Sequence, residues 1–362
     1  MTRSTLPTIS KIQIRTVCVA MPNPHKTASG VVSESPLVLT DLIASDGTVG
    51  HSIVFTYTKA ALKPTADFIH GIQDLVVGQP LAPRFVSLAL ENRFRLLGTQ
   101  GLVGMALSGI DMALWDALAK SQGKSLVHLL GGAEKPVSAY GAVGFDGVAG
   151  SARQAEAWAK QGFKGIKAKI GYPSVAEDLE VIRAMRSAIG PEVSIMIDYN
   201  QCLRPQEAIN RIHRLEDEGL TWIEEPTLAH DYAGHAQIAQ AVRTPIQCGE
   251  NWWGILDMQH AIDAQASDYM MPDVMKIGGV TGWLRAAELA HAKGILLSNH
   301  LWPEVSAQLL TLTPTAHWLE YADWWNPILV DPLQVKDGTV LHDGELGTGL
   351  IWNESAIEKY AA

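Results

Sequence analysis

Apolar and polar residues alternate with a period of two over Lys11 to Met21, Pro36 to Ala44 and Thr48 to Tyr57. Many positions are β-branched, and Ser45-Asp46-Gly47 divides the last two runs as a hairpin turn would. Three strands are predicted. Asn23 to Ser35 lies between the first two and is rich in Gly, Ser, Pro and Thr. It reads as a surface loop (lid loop 23–35) or, if functional, as a mobile lid. Then the period changes. Lys59 to Val77 and Leu102 to Ser121 carry apolar residues at helical spacing, and Gly123 and Gly131-Gly132 punctuate the end. Residues 1–130 thus read as an α+β capping domain.

From residue 131 strands and helices alternate. Apolar strand candidates are Val137–Val143, Gly165–Ile170, Val193–Tyr199, Leu220–Glu225, Pro245–Glu250, Tyr269–Val274, Ile295–His300 and His317–Tyr321. Amphipathic stretches such as Ser151–Gln161, Val175–Ile189 and Gln206–Glu218 separate them. The step is about 25 residues, the size of one strand-plus-helix unit. The class is α/β, with a (β/α)7–8 TIM-type barrel over 131–321. Residues 322–362 resume a strand-and-turn pattern and are expected to return to the capping domain.

Composition narrows the partners. The chain has 362 residues, 47% hydrophobic and 18% charged, which fits a globular enzyme with a large core. A net charge of −10 argues against nucleic acid or anionic lipid. Cys18, Cys202 and Cys248 are scattered and without metal spacing, so a reducing compartment is expected. Met1 to Pro7 lacks the apolar core of a signal peptide, and no apolar run is judged long enough to cross a bilayer. The expectation is a cytoplasmic enzyme. Trp222, Trp252, Trp253 and Trp302 lie near the motifs below and are candidates to line a pocket.

The chemistry sits at the strand ends, where barrel active sites form. The polar residues there are Lys167 and Lys169, Asp198 and Asn200, Glu224 with Glu225, Glu250, Asp273, His300 and Glu320. Alternation puts Lys167 and Lys169 on one face of their strand, and Asp198 and Asn200 on one face of theirs. Asp198, Glu224 and Glu250 follow one another at intervals of 26 residues. Oxygen ligands from three adjacent strands suit a hard divalent cation such as magnesium, and the absence of an in-phase Cys disfavours zinc. Taken alone, Glu224-Glu225 is only a solvated acid pair; the shared phase of three carboxylates argues against that. An Asp273 beside His300 would fix its tautomer and raise its basicity. A second ammonium beside Lys169 would lower its pKa, so that one lysine can accept a proton.

These residues resemble the enolase superfamily, and within it the mandelate racemase group. The matching stretches include Lys167-Ala168-Lys169-Ile170-Gly171-Tyr172-Pro173, Asp198-Tyr199-Asn200-Gln201, Trp222-Ile223-Glu224-Glu225-Pro226-Thr227 and Gly249-Glu250-Asn251-Trp252. Met271-Pro272-Asp273, Lys276 to Trp283, Ser298-Asn299-His300-Leu301 and Pro314 to Glu320 complete the set, and the likeness covers nearly the whole chain. The resemblance implies one Mg²⁺ per site, with Mn²⁺ as a substitute, on Asp198, Glu224 and Glu250. It implies Lys169 and the Asp273–His300 pair as bases on opposite faces of the substrate α-carbon. Lys167 would hold the substrate carboxylate, Asn200 would sit near its hydroxyl, and a protonated Glu320 would bond the enediolate oxygen. Lys276 and Glu225 would lie behind the metal ligands. Elementary electrostatics agrees, since charge grows on the carboxylate as the α-proton leaves and these groups surround it.

The likeness weakens around the substrate. Ala142 falls where mandelate racemase has a serine, and His25 where it has an apolar residue; Val32 and Tyr57 are retained. Trp302, after Leu301, replaces a smaller aromatic, and Trp324-Trp325 is unlike its counterpart. His25, Val32, Tyr57, Ala142, Leu301 and Trp302 are therefore the pocket and lid candidates. The expected activity is an isomerase that racemises a bulky, mandelate-like 2-hydroxy acid. The alternative is a lyase that dehydrates a sugar acid to a 2-keto-3-deoxy acid. The expected partner is a small carboxylate substrate, and the resemblance implies a homo-oligomer, an octamer.

Overall fold

A computed structural model describes residues 6–27, 30–342 and 344–362. The first three strands, β1 (Ile9–Thr27), β2 (Gly30–Ala44) and β3 (Val49–Phe55), form an antiparallel sheet in that order. Alternation puts Val17, Val19, Leu37, Leu39, Ile53 and Phe55 in the core. The expected loop at Asn23–Ser35 is instead mostly strand. His25 pairs with Val32, Lys26 with Val31 and Thr27 with Gly30, after a register shift between Ala20 and His25. Composition pointed to a loop because Gly, Ser, Pro and Thr predominate there, whereas cross-strand backbone pairing forms the ribbon. Ala28 and Ser29 of that span lie outside the described residues.

Helices α1 (Lys59–Gly71), α2 (Pro83–Phe94), α3 (Gly101–Ser121) and α4 (Leu126–Leu129) follow. At 21 residues α3 is long and apolar enough to span a bilayer, contrary to the sequence expectation. Its apolar stretch is 83% buried, as the central helix of a packed core would be. β3 approaches α3 at Gly50, where an added Cβ would lie 2.1 Å from the Ala113 carbonyl oxygen.

The barrel strands are β4 (Val137–Val143), β5 (Gly165–Lys169), β6 (Ser194–Asp198), β7 (Leu220–Glu224), β8 (Ile246–Cys248) and β9 (Tyr269–Met270), with β10 (Leu319–Tyr321) closing back on β4. Helices α5 (Gly147–Lys160), α6 (Val175–Ile189), α7 (Pro205–Leu215), α8 (Tyr232–Ala241), α9 (Ile255–Asp263), α10 (Gly279–Lys293) and α11 (Pro303–Leu312) intervene. The expected strand Ile295–His300 is not continuous. It joins its neighbours by single bridges, Leu297 to Met270 and Ala316, and His300 to Asp273. Pro272 contributes to the gap, since it lacks an N–H and offers only its carbonyl, 3.2 Å from His300 N.

The short strand β11 (Thr339–Val340) pairs with β4, and α12 (Glu354–Lys359) brings the chain back to the cap. There Trp352 Nε1 donates to Asp41 Oδ1 (2.6 Å) and Ala362 N to Thr16 O (3.0 Å). Cap and barrel are fastened at Asp111, whose carboxylate accepts from Thr281 N (2.9 Å) and Thr281 Oγ1 (2.6 Å) at the start of α10. Trp302 Nε1 adds a bond to Ile53 O (3.0 Å).

Gly50→Ala should push β3 off α3 and lower stability by about 1–3 kcal/mol, read as a lower denaturation midpoint at unchanged m-value. Glu304, buried at the start of α11, has its pKa raised to about 7 by burial, against the opposing bond from Trp325. Its stabilising contribution is complete below the unfolded carboxyl range and is lost as pH rises through about 7. Thermal melts between pH 5 and 8 should show wild-type stability falling with pH more steeply than that of Glu304→Gln, the gap changing by on the order of 2 kcal/mol.

Candidate active site

Strand alternation sends Lys167 and Lys169 into the barrel while Ile166 and Ala168 join the outer core. Beneath them lies an aromatic floor of Tyr140, Trp222 and Trp318 with Met196. Lys167 Nζ stands 5.4 Å from the Tyr140 ring centre, and Trp222 Nε1 donates to Glu224 Oε2 (3.3 Å). Asp198, Glu224 and Glu250 then bring carboxylate oxygens within 4.8 Å of one another. The parallel register explains this, because Lys169, Asp198 and Glu224 are successive partners across β5, β6 and β7.

The cations are distributed around this row. Lys167 Nζ is 2.6 Å from Glu224 Oε1 and 2.7 Å from Glu320 Oε1. Lys169 bonds Asp198 at one end of the row. His300 approaches the other end, its Nε2 3.3 Å from Glu250 Oε2. His300 Nδ1 meets Asp273 Oδ2 at 2.7 Å, and the second Asp273 oxygen accepts from Met275 N (2.8 Å) and Lys276 N (3.1 Å), so the carboxylate cannot swing. Glu320 Oε2 accepts from Leu301 N (3.1 Å). Asn200 Nδ2 donates to Asp198 Oδ2 (3.1 Å).

Two protonation expectations need correcting. Burial, the largest effect, and the Lys167 ammonium push the Lys169 pKa down, but Asp198 together with Glu250 and Glu224 outweighs them, and the net shift is upward. Burial pushes the Glu320 pKa up, but Lys167 and then His300 reverse it, and the net shift is downward. The groups that face them thus favour a charged Lys169 and an ionised Glu320. Sequence reasoning weighed the paired lysines without the carboxylates that face them.

Around the rim, the ribbon delivers His25, buried and with its ring centre 5.0 Å from that of Trp324. Its pKa falls to about 3, first through burial and then through the Lys169 charge, so the imidazole is neutral. Val32 pairs with it across the ribbon and is partly buried. The Tyr57 ring lies 4.8 Å from Lys276 Nζ, and its hydroxyl pKa is raised by burial and then by the Asp273 charge. Ala142 is the register partner of Lys167. Leu301 is buried and contributes its backbone N–H. Trp302 does not fit the expected pocket role, because the left-handed φ of 49° at Leu301 and 48° at Trp302 turns its indole to the cap strand β3. Trp252 is buried in the core and Trp253 lines a cleft between cap and barrel, so neither joins the catalytic groups.

Glu225 lies behind the row, as does Lys276, and Asn251 links them. Asn251 Nδ2 donates to Glu225 Oε2 (2.7 Å) and Glu250 Oε1 (3.0 Å), while Asn251 Oδ1 accepts from Lys276 Nζ (2.8 Å). Sequence reasoning missed Asn251 and Trp324, although both stand in stretches it singled out. Among the described residues eight non-glycine residues have positive φ, and five of them (Tyr57, Asn200, Gln201, Glu225 and Leu301) lie at or beside these groups, a strain pattern typical of functional sites.

The residues fit a divalent cation. Glu250 Oε2, Asn200 Oδ1 and Glu225 Oε1 are buried acceptors with no hydrogen-bond partner, and oxygen is the donor such a cation takes.

Comparison with known proteins agrees. Residues 150–356 match the enolase C-terminal domain-like family, and residues 11–131 match the mandelate racemase / muconate lactonizing enzyme N-terminal domain. The chain belongs to this family of the enolase superfamily. It is 35% identical to L-talarate/galactarate dehydratase of Salmonella typhimurium, covering 90% of this chain and 82% of that protein. It is 31% identical to D-galactarolactone cycloisomerase of Agrobacterium fabrum, covering 93% and 94%. A Bradyrhizobium enolase solved with magnesium and mandelic acid superposes with a TM-score of 0.94, at 44% identity over 99% of each chain. Magnesium is accordingly the cofactor of this fold that the acidic triad suits.

Glu224→Gln or Glu250→Gln should weaken Mg²⁺ binding by more than about 100-fold in titration calorimetry, beyond what loss of an outer partner causes.

Proposed function

We propose that the chain is a Mg²⁺-dependent racemase that inverts the α-carbon of a 2-hydroxy acid bearing a flat, bulky substituent. The observation that carries this reading is the placing of two bases at opposite ends of one carboxylate row. Lys169 is bonded to Asp198, and His300 stands 3.3 Å from Glu250. A substrate lying along the row meets one base on each face of its α-carbon.

Asp198, Glu224 and Glu250 would hold a divalent cation, which would supply Lewis-acid polarisation of the substrate carboxylate. Lys167 adds a fixed positive charge to that carboxylate. Lys169 would give its ammonium proton to solvent before turnover, take the α-proton as a neutral amine and become an ammonium again. His300, protonated and oriented by Asp273, returns a proton to the opposite face and becomes neutral. The reverse reaction exchanges the two roles. Glu320 would take a proton from solvent as the substrate carboxylate binds, and would then donate it as a hydrogen bond to the oxygen on which charge grows. Tyr57 and Trp324, both packed against the buried Phe55 ring, offer aromatic faces that support a flat substituent. The Bradyrhizobium structure with mandelic acid supports the same class.

One observation favours a second reading. The buried, neutral His25 presents a hydrogen-bonding edge at the rim, which suits a substrate with further hydroxyls. With a sugar acid, protonated His300 would give its proton to the β-hydroxyl, which leaves as water, and the enol would become a 2-keto-3-deoxy acid.

Incubation of the Mg²⁺-loaded enzyme in ²H₂O with single enantiomers separates the readings. A racemase gives the opposite enantiomer labelled at the α-carbon with no loss of hydroxyl; a 2-keto acid product establishes dehydration instead. Lys169→Ala and His300→Asn should each lower racemisation by at least about 10²-fold. Each variant should still exchange the α-proton of the enantiomer that faces its remaining base.

A further inference from the structure

We propose that Asn251 is the positioning residue of the metal site: it selects which oxygen of Glu250 is left for the cation, and Lys276 sets the orientation of Asn251. The inference rests on the metal-dependent reading above. Lys276 ends in a donor without acceptor capacity, and its Nζ lies 2.8 Å from Asn251 Oδ1. Glu250 Oε1 accepts from Asn251 Nδ2 at 3.0 Å, and Glu225 Oε2 accepts from the same nitrogen at 2.7 Å. A flipped amide would set its carbonyl against the Glu250 carboxylate and its NH₂ against an ammonium. The side chain therefore has one orientation.

The consequence falls on Glu250. Its Oε1 is engaged by Asn251, so Oε2 is the buried, unbonded oxygen left facing the cavity and His300. Without Asn251 the carboxylate could rotate and present either oxygen. The far end of the relay is under the cap, because the Tyr57 ring lies 4.8 Å from Lys276 Nζ. Cap, lysine, amide and metal ligand thus form one contiguous series.

The test uses the full-length protein with Asn251→Ala, Lys276→Met and the double variant. Mg²⁺ affinity is measured by calorimetry, and the metal-free melting midpoint reports folding. Asn251→Ala should bind Mg²⁺ about 10–100-fold more weakly, the range for removing a residue that orients a metal ligand. Lys276→Met should show part of that loss. The double variant should be no weaker than Asn251→Ala, because the lysine acts through the amide. A merely structural role would lower the melting midpoint and leave the affinity of the folded protein unchanged. Unchanged Mg²⁺ affinity in folded Asn251→Ala overturns the proposal, and so do losses that multiply in the double variant. If Asn251→Ala does not fold, Lys276→Met decides, and wild-type affinity in that variant overturns it. A wild-type protein that binds no Mg²⁺ overturns the metal-dependent reading and this one with it.

Discussion

The structure depends on a charge imbalance sealed inside the barrel mouth. Asp198, Glu224, Glu225, Glu250, Asp273 and Glu320 are all buried, against the ammonium groups of Lys167, Lys169 and Lys276. His300 can add one more positive charge. Buried charge without compensation is expensive, so some carboxyls must hold protons or a cation must enter. Glu224 and Glu225 show the strain directly. Burial, the first cause for each, raises both pKa values, and neighbouring carboxylates add to it. A divalent cation brings the cluster close to neutrality, which is why metal binding and the ionisation of these groups belong to one equilibrium.

The surrounding architecture keeps that cluster dry. The aromatic floor shuts the lower end of the barrel. The cap closes the upper end through Asp111 and Trp302, and through the ribbon that carries His25. Backbone bonding adds to this, since Phe145 N after β4 donates to Lys26 O (2.9 Å) and Lys26 Nζ lies 3.1 Å from Asp146 Oδ1. The ribbon is thereby seated on the same loop region that leads out of Ala142.

Much of this was legible in the sequence because two regular features carry it. Strand alternation put Lys167 with Lys169, and Asp198 with Asn200, on shared faces. The 26-residue spacing of the carboxylates followed from one strand–helix unit per stave of the barrel. What escaped depends on contacts that periodicity does not encode. The ribbon at His25–Val32 pairs through its backbone and buries only His25 and part of Val32, too short a pattern for alternation to reveal. The stave at Ile295–His300 reduces to single bridges, so its apolar run overstated its regularity. Trp302 is aimed by two left-handed residues that nothing in a hydrophobic pattern announces. The ionisation of Lys169 and Glu320 depends on partners several strands away, and Asn251 acts through a three-way contact that needs the folded register.

The return of the chain to the cap has a topological consequence. Residues 360–362 lie along β1, with Cys18 N donating to Tyr360 O (2.9 Å) and Val17 bridged to Ala361. The barrel is therefore an insertion between two portions of one sheet-and-helix unit. During synthesis the early strands must wait, with the outer edge of β1 unpaired, until the entire barrel has been made. Such an edge is a template for pairing with other chains. Without residues 360–362 the Thr16–Cys18 stretch of that edge would lack its partner and become the expected point of self-association.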